Sequence, residues 1–378
     1  MTLSRVRLGV IGLGVVAQAV HLPLLRNRRD LFEVTAVCDL SAERAARVAE
    51  RFGLGAAGRF RSAEELLDSG LVDAVLVLTS GSHGQVAGAA LGRGLPTLCE
   101  KPLAYTLAEA DSLERLSAKE GTPLQLGYMK LYDPAVRRAH RELAATRPVP
   151  RAVEVTVLHP SGSSQLAHAN LEPPPGDVPA ATLAALGQET SQLQEQALGR
   201  EAPAELRELY TEVLLGSLVH DLAVVRLLAG ELERVDHADL WPEGSWSSVA
   251  ADGVLAGDVR VSLRWHYLDR YPAYREEVRL HHEQGSIALT FPSPFLLNAP
   301  TVLTVTDLDG DVARSREDRS TVEAFEQELV GFHRLVTDGQ PAAAGIAEGR
   351  ADIVTCQRIL SRLAERRGVE LAGEAAGL

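Results

Sequence analysis

The fold of the N-terminal part of this chain is decided by the stretch Arg7-Leu8-Gly9-Val10-Ile11-Gly12-Leu13-Gly14-Val15-Val16-Ala17. An apolar strand here runs into a Gly-x-Gly-x-x-Ala turn, and the turn opens a helix. Gly12 allows the tight turn, Gly14 leaves room for a pyrophosphate, and Ala17 lets the helix pack close to the strand. The helix N-terminus then offers unpaired N–H groups to an anion. The pattern predicts a dinucleotide-binding unit; the alternative is a structural turn that binds no ligand.

A second apolar run supports the dinucleotide interpretation. Val34–Cys38 ends in Asp39, about 20 residues beyond Ala17, which is the spacing of a carboxylate that binds a ribose 2′-hydroxyl. The same carboxylate repels a 2′-phosphate, so we predict NAD as the cofactor in preference to NADP. Arg44 lies nearby and is the one cation that could offset this preference.

Composition limits the classes of partner. The chain has 378 residues, enough for about two domains, and 46% of them are hydrophobic. A net charge of −13 argues against nucleic acid or an anionic membrane as the main partner. The three cysteines have no metal-ligand spacing and read as reduced, buried thiols. With no membrane-spanning run and no signal-peptide core, we expect a cytoplasmic protein.

Two patterns of apolar residues divide the chain. Residues 1–127 alternate short apolar runs with helical segments, which predicts a doubly wound α/β (Rossmann) domain. Residues 128–378 are predicted to form an α+β domain with an open, mostly antiparallel sheet. In this part Val259–Trp265 alternates strictly between apolar and polar side chains. That apolar face needs cover, so we also expect a homodimer or homotetramer built on this sheet.

Residues 160–205 are predicted to be an insertion in the second domain. The Pro173–Gly176 run breaks regular structure, and Ala180–Leu198 then has a helical pattern. The insertion could be an active-site lid, an oligomer arm or a surface decoration. We expect it to shape the substrate site or an oligomer contact, and not the cofactor site.

Three residues have the chemistry and the position for a functional role. Lys101 follows the Thr97–Cys99 strand, where ligands of parallel sheets bind, and could stabilise a developing alkoxide. His83 follows the strand before it and either meets a ligand or belongs to a helix-capping turn. His220 lies on a helix that ends at Gly230 and is the best candidate for a general base, although a structural histidine is the alternative.

Taken in order, these motifs resemble the glucose–fructose oxidoreductase/inositol dehydrogenase (Gfo/Idh/MocA) family. The resemblance rests on the glycine-rich turn, Asp39, His83, Glu100-Lys101-Pro102, Gly127–Pro134 and the His220 helix. It implies NAD(P)-dependent oxidation or reduction at a carbinol or carbonyl of a sugar, cyclitol or sugar derivative. It also implies that Lys101 touches the substrate and the nicotinamide ribose and that His220 is the acid/base. The predicted cofactor contacts are Gly12, Gly14, Val15, Val16, Asp39, Thr79, His83, Glu100 and Lys101, and the substrate candidates are Lys130, Tyr132, Ser217 and Asp221.

The sequence departs from the family pattern beside the histidine. Many members carry an aspartate four residues before it and an acid three residues after it; here these positions are Gly216 and Ala223. We expect the space vacated at Gly216 to belong to the substrate. The main prediction is an NAD-dependent dehydrogenase of a polyhydroxylated small molecule that needs no metal. The alternatives are a reductase of a nucleotide-linked keto-sugar and a catalytically degenerate NAD-binding sensor or partner protein.

Overall fold

The structure is a computed structural model, and it describes residues 5–169, 171, 175–242 and 247–378. Its strands are β1 Val6–Ile11, β2 Phe32–Cys38, β3 Arg59–Phe60, β4 Ala74–Val77, β5 Thr97–Glu100, β6 Leu124–Gly127, β7 Pro150–His159, β8 Leu232–Trp241, β9 Ser248–Leu255, β10 Val259–Tyr267, β11 Arg275–His282, β12 Gly285–Phe291, β13 Val302–Asp309 and β14 Val312–Arg319. Its α-helices are α1 Leu22–Asn27, α2 Ala42–Arg51, α3 Ala63–Leu67, α4 Gly84–Leu91, α5 Leu107–Glu120, α6 Pro134–Thr146, α7 Gly162–Leu166, α8 Ala180–Leu198, α9 Ala204–Glu208, α10 Val219–Ala229, α11 Ala324–Asp338 and α12 Ile346–Arg366. Residues Ala17–His21 and Leu209–Leu218 are π-helical.

Contacts between residues divide the chain into two compact units. The first unit comprises residues 1–128, 170–197 and 328–353, and the second comprises residues 129–169, 198–327 and 354–378. The first unit thus combines the N-terminal residues with two later segments, residues 170–197 and 328–353. The domain boundary after residue 127 stays a prediction.

The first unit is built on a parallel sheet. Six strands lie in the order β3-β2-β1-β4-β5-β6, and all paired neighbours are parallel. This is the doubly wound order predicted from the alternating apolar runs. Two of the helices begin at side-chain caps: the side chain of Ser41 accepts from the N–H of Arg44, and Thr106 forms a capping box with Glu109. The two-residue strand β3 gives too short an apolar signal to be predicted.

The second unit is built on an eight-stranded sheet in the order β14-β13-β12-β11-β7-β10-β9-β8. Every pair is antiparallel except β7 with β10, so the sheet is mixed but mostly antiparallel, as predicted. The predicted alternation in β10 is confirmed, because Val259, Val261, Leu263 and Trp265 are all buried.

The apolar face of β10 is covered within one chain. The indole of Trp265 donates to the hydroxyl of Ser217 at 3.1 Å, and its side chain is 2% exposed. This face therefore needs no partner subunit, which removes the argument that led to the predicted oligomer. The opposite face of the strand carries polar side chains such as Arg264, which pairs with Asp252. No helix in the described part of the chain is long and apolar enough to cross a membrane.

Candidate functional site

The glycine-rich turn of the first unit is shaped for an anion at the carboxyl ends of its strands. Gly12 has a φ of +91°, and a Cβ there would lie 2.6 Å from the carbonyl carbon of Leu78. A Cβ on Gly14 would meet nothing within 4 Å, so the space in front of that residue is open. Val15 is 45% exposed beside it. The hydroxyl of Thr79 is buried and bonds to no described residue. Open space and an unsatisfied hydroxyl fit a bound dinucleotide.

Asp39 is held where a ribose-binding carboxylate is required. One carboxylate oxygen accepts from the N–H of Leu13 at 3.0 Å, and the other accepts from the N–H of Ser41 at 2.9 Å. The guanidinium of Arg44 lies 3.6 Å from the same carboxylate. These contacts fix the carboxylate at the end of β2, against the glycine-rich turn.

His83 is buried between two loops of the first unit. It is 2% exposed, and its two ring nitrogens lie 2.6 Å from the carbonyl oxygen of Pro102 and 2.8 Å from that of Thr79. Burial lowers the pKa of the imidazole, while the two carbonyls oppose this effect. The ring thus joins the loop after β4 to the Lys101-Pro102 loop, and its predicted contact with a cofactor stays a prediction. Its side chain makes no capping hydrogen bond to α4.

Glu100 belongs to a buried cluster behind Lys101. It is 5% exposed, its carboxylate lies 2.9 Å from Nε2 of His21, and it accepts from the N–H of Lys101 at 3.1 Å. Burial pushes the pKa of Glu100 upward, but the bond with His21 and the nearby positive groups outweigh burial and leave it lowered. The carboxylate therefore holds the backbone of Lys101 in place, and the predicted contact of Glu100 with a cofactor stays a prediction.

Glu328 is the third member of this cluster. It is fully buried, its carboxyl oxygens bond to no described residue, and it lies with His21 and Glu100 within a 4.8 Å group. Burial, and then the negative charge of Glu100, raise the pKa of Glu328 well above its ordinary value. The raised pKa favours a neutral Glu328 beside the carboxylate of Glu100.

The second unit contains a cavity that brings together several polar side chains. Two of its lining residues, His220 and Lys130, are among the functional residues predicted from the sequence. The ammonium of Lys130 pairs with Glu276, lies 3.4 Å from Asp221 and stands 4.6 Å above the ring of Phe291. Other lining residues are Met129, Asp133, Tyr274, Ser293, Thr301, Val322, Glu323 and Phe325.

Three lining residues of this cavity, Tyr274, Glu276 and Lys130, are linked in series. The hydroxyl of Tyr274 donates to Glu276 at 2.6 Å, and Glu276 pairs with Lys130. Burial, and then the charge of Asp221, raise the pKa of the Tyr274 hydroxyl well above its ordinary value, so it stays a proton donor. Burial raises the pKa of Asp221 as well, while Lys130 opposes this effect. The arrangement offers donors and acceptors to a ligand that carries hydroxyl groups.

Comparison with known proteins places the first unit. A sequence model of an "Oxidoreductase family, NAD-binding Rossmann fold" matches residues 6–128. Over these residues the chain is similar to the Gfo/Idh/MocA family. The match confirms the resemblance and the NAD-binding character of the fold.

Relatives of the chain resemble it over about a third of its length. Inositol 2-dehydrogenase of Salmonella paratyphi B is 33% identical over 127 residues, which are 33% of this chain and 37% of that protein. Rhizopine catabolism protein MocA of Rhizobium meliloti is 32% identical over 146 residues, 38% of this chain and 44% of that protein. The matched region spans less than half the length of these curated relatives.

Solved structures resemble the fold along nearly the whole chain. UDP-N-acetylglucosamine 3-dehydrogenase of Acidithiobacillus ferrooxidans has a TM-score of 0.69 at 22% identity, covering 96% of this chain and 99% of that one. A 3-ketoreductase of Actinomadura kijaniata in complex with NADP also has a TM-score of 0.69, at 19% identity, covering 97% and 98%. At such identities the likeness shows the fold of both units.

The predicted substrate residues separate into two sets. Lys130 lines the cavity, whereas Ser217 bonds to Trp265 and Asp221 is 1% exposed behind Lys130. Tyr132 is 3% exposed and packs under the guanidinium of Arg137. These last three residues do not line the cavity, because their side chains are buried in contacts of the second unit.

Gly216 lies within the π-helical segment Leu209–Leu218, which the sequence treats as a regular α-helix. A Cβ at this position would lie 2.9 Å from the carbonyl oxygen of Thr211. The π-helical turn brings that carbonyl close, because a residue in such a helix faces the one five positions earlier. The predicted use of the space at Gly216 by a substrate stays a prediction.

Sequence reasoning missed Tyr274 and Glu276. A usable signal was present in β11, where Glu276 alternates with Val278 and Leu280 and shares their buried face. An acidic residue on an apolar strand face needs a partner or a function, so it merits attention.

Proposed function

We propose that this chain is an NAD-dependent dehydrogenase or reductase that transfers a hydride between nicotinamide and a carbinol or carbonyl carbon of an uncharged polyhydroxylated molecule, such as a sugar or cyclitol. The nicotinamide supplies the hydride acceptor or donor. The dinucleotide is assigned to the open turn at Gly14, the unsatisfied Thr79 hydroxyl and the carboxylate of Asp39. The N-terminal relatives named inositol 2-dehydrogenase support the polyol class.

The observation that carries the substrate class is the charge of the cavity in the second unit. Its described lining includes the carboxyl groups of Asp133, Glu276 and Glu323 against one ammonium, that of Lys130. Lys130 is already paired with Glu276. Hydroxyl groups donate well to carboxylates, whereas a diphosphate would face like charges. The lining therefore favours a neutral polyol over a nucleotide-linked keto-sugar.

His220 is proposed as the acid/base. It lines the cavity on α10, and in the oxidative direction it would take the proton of the substrate hydroxyl. Lys101 is proposed to stabilise the oxygen that becomes negatively charged. The backbone of Lys101 is held by Glu100, which limits the freedom of this loop.

The test is a turnover screen with NAD and NADH. Neutral polyols would be matched with anionic analogues, for example glucose with glucuronate, and compared with nucleotide-linked sugars. We expect a neutral compound to give the higher kcat/KM. Turnover restricted to nucleotide-linked sugars would refute the substrate class, and NAD binding without turnover of any compound would favour the non-catalytic sensor.

A histidine pair tests the acid/base role. His220→Ala should lower turnover by about 10²-fold or more while NAD binding is kept. His140→Ala is the matched control, since His140 is exposed on α6. Equal activity of the two variants would refute the assignment.

Two further predictions concern the state of the protein. Its three cysteines are buried thiols, which suits the reducing compartment predicted, the cytoplasm. The homodimer or homotetramer stays a prediction, and light scattering at micromolar concentration tests it.

A further inference from the structure

Within the first unit, the inserted segment contacts the start of α2. The carboxylate of Asp177 accepts from the N–H of Glu43 at 3.1 Å, in the first turn of that helix. Hydrogen bonds from Ser41 and from the backbone of Glu43 lower the pKa of Asp177, so the carboxyl group is held as an anion. The segment therefore supplies a negative charge to a helix N-terminus, which favours one.

This helix N-terminus is the adenosine end of the predicted cofactor site. Ser41, which caps α2, also donates its N–H to Asp39. Arg44, from the same turn, lies 3.6 Å from Asp39 and is largely buried. A 2′-phosphate on the adenosine ribose would need such a cation and the free N–H groups of this turn. Ser41 and Asp177 already occupy the N–H groups of Arg44 and Glu43.

The inserted segment also comes close to the loop after β4. The hydroxyl of Thr190, on α8, lies 3.9 Å from where a Cβ on Gly81 would stand. Gly81 follows β4, and α2 follows β2. The segment therefore approaches the first unit beyond the carboxyl ends of two parallel strands. The insertion therefore approaches the cofactor side of the sheet, contrary to the expectation that it keeps away from the cofactor site. Of the predicted Pro173–Gly176 break, Pro173 and Pro174 lie outside the described residues.

We propose that Asp177 is a specificity-determining residue that excludes the 2′-phosphate of NADP by occupying the anion position at the start of α2. The inference rests on the proposed function, since it assumes that the first unit binds a dinucleotide beside Asp39. Asp39 recognises the ribose hydroxyl. Asp177 occupies the anion position at the N-terminus of α2 and repels a second anion. An NADP-binding site would require both carboxylates to be neutralised or moved.

The experiment measures binding without turnover. Dissociation constants for NAD, NADP, ADP and 2′,5′-ADP would be determined by calorimetry on the full chain and on Asp177→Asn. This variant keeps the shape of the side chain and removes its charge. Glu189→Gln is the matched control, because it removes one negative charge from α8 of the same inserted segment. Melting temperatures would verify that both variants are folded.

For Asp177→Asn we expect roughly tenfold tighter binding of NADP and 2′,5′-ADP, with NAD and ADP changed by less than about twofold. The gain should shrink at high salt, since it is electrostatic. An unchanged NADP/NAD ratio, or an equal change for all four nucleotides, would overturn the role of Asp177 and leave the proposed function standing. Failure of the unmodified chain to bind either dinucleotide would overturn both.

Discussion

Replacing Lys130 by methionine should destabilise the second unit, because the ammonium neutralises two buried carboxylates. Lys130, Asp221 and Glu276 are 5%, 1% and 2% exposed. At the 3.4 Å that separates Lys130 from Asp221, an effective dielectric constant of about 20 gives an attraction of roughly 5 kcal/mol. Removing one partner of a buried ion pair costs about 3–5 kcal/mol in measured cases. We therefore expect a loss of about 3–5 kcal/mol in Lys130→Met.

The pH dependence of this loss has a definite sign. Without the ammonium, burial raises the pKa of Asp221 further above the value it has in the unfolded chain. A group whose pKa is raised on folding contributes stability at low pH and loses it as pH rises. The difference in stability between the original chain and Lys130→Met should therefore be smaller at pH 5 than at pH 8.

The assay is denaturant unfolding followed by circular dichroism at both pH values. Lys119→Met is the control, because Lys119 is exposed and its pair with Glu120 is on the surface. The double variant Lys130→Met/Glu276→Gln should recover part of the loss, since it removes one of the uncompensated charges. A loss below about 1 kcal/mol, the size of a surface pair, would refute this account of the cluster.

Three further predictions follow from close contacts and burial. Gly12→Ala should abolish folding or NAD binding, because its Cβ would clash with backbone. Gly14→Ala should keep the melting temperature and weaken NAD binding, as calorimetry can show. Equal behaviour of the two variants would contradict the proposed binding of the dinucleotide at the glycine-rich turn. Gly216→Ala should lower stability by about 1–3 kcal/mol through its contact with Thr211, and a melting temperature that does not change would disprove this. Glu328→Gln should become more stable relative to the original chain as pH rises from 5 to 8, because burial raises the pKa of the carboxyl group on folding; thermal melts without this trend would show that Glu328 is ionised.

The sequence predicted the elements whose signals are local. The bounds of α8 coincide with the helical pattern predicted over Ala180–Leu198, since helix signals act within a few residues. The parallel strands of the first sheet were predicted from short, fully apolar runs bounded by turns. The predicted strand over Val259–Trp265 is extended by only two residues in the structure.

The functional side chains were predicted less completely. Lys130 and His220 were chosen from the sequence, and both line the cavity of the second unit. His83 and Glu100 were chosen as cofactor contacts. In the structure His83 faces carbonyl groups and Glu100 bonds to His21, and no local sequence pattern reveals these partners. The sequence also treats the turns before His220 as a regular α-helix, and the π-helical turn changes which backbone atoms Gly216 faces.

The sequence alone determined the glycine-rich turn, the position of Asp39 after its strand and the classes of the two units. These features depend on steric rules and periodicities that are contained within short segments. Only the tertiary structure decided that Lys130 neutralises Asp221 and Glu276, that Glu328 lies behind Glu100, and that Asp177 reaches α2. Such pairs join residues separated by 91 to 228 positions, or by 134 for Asp177 and Glu43. Their meeting depends on how whole elements pack, because burial brings the charges together and determines which of them must be paired.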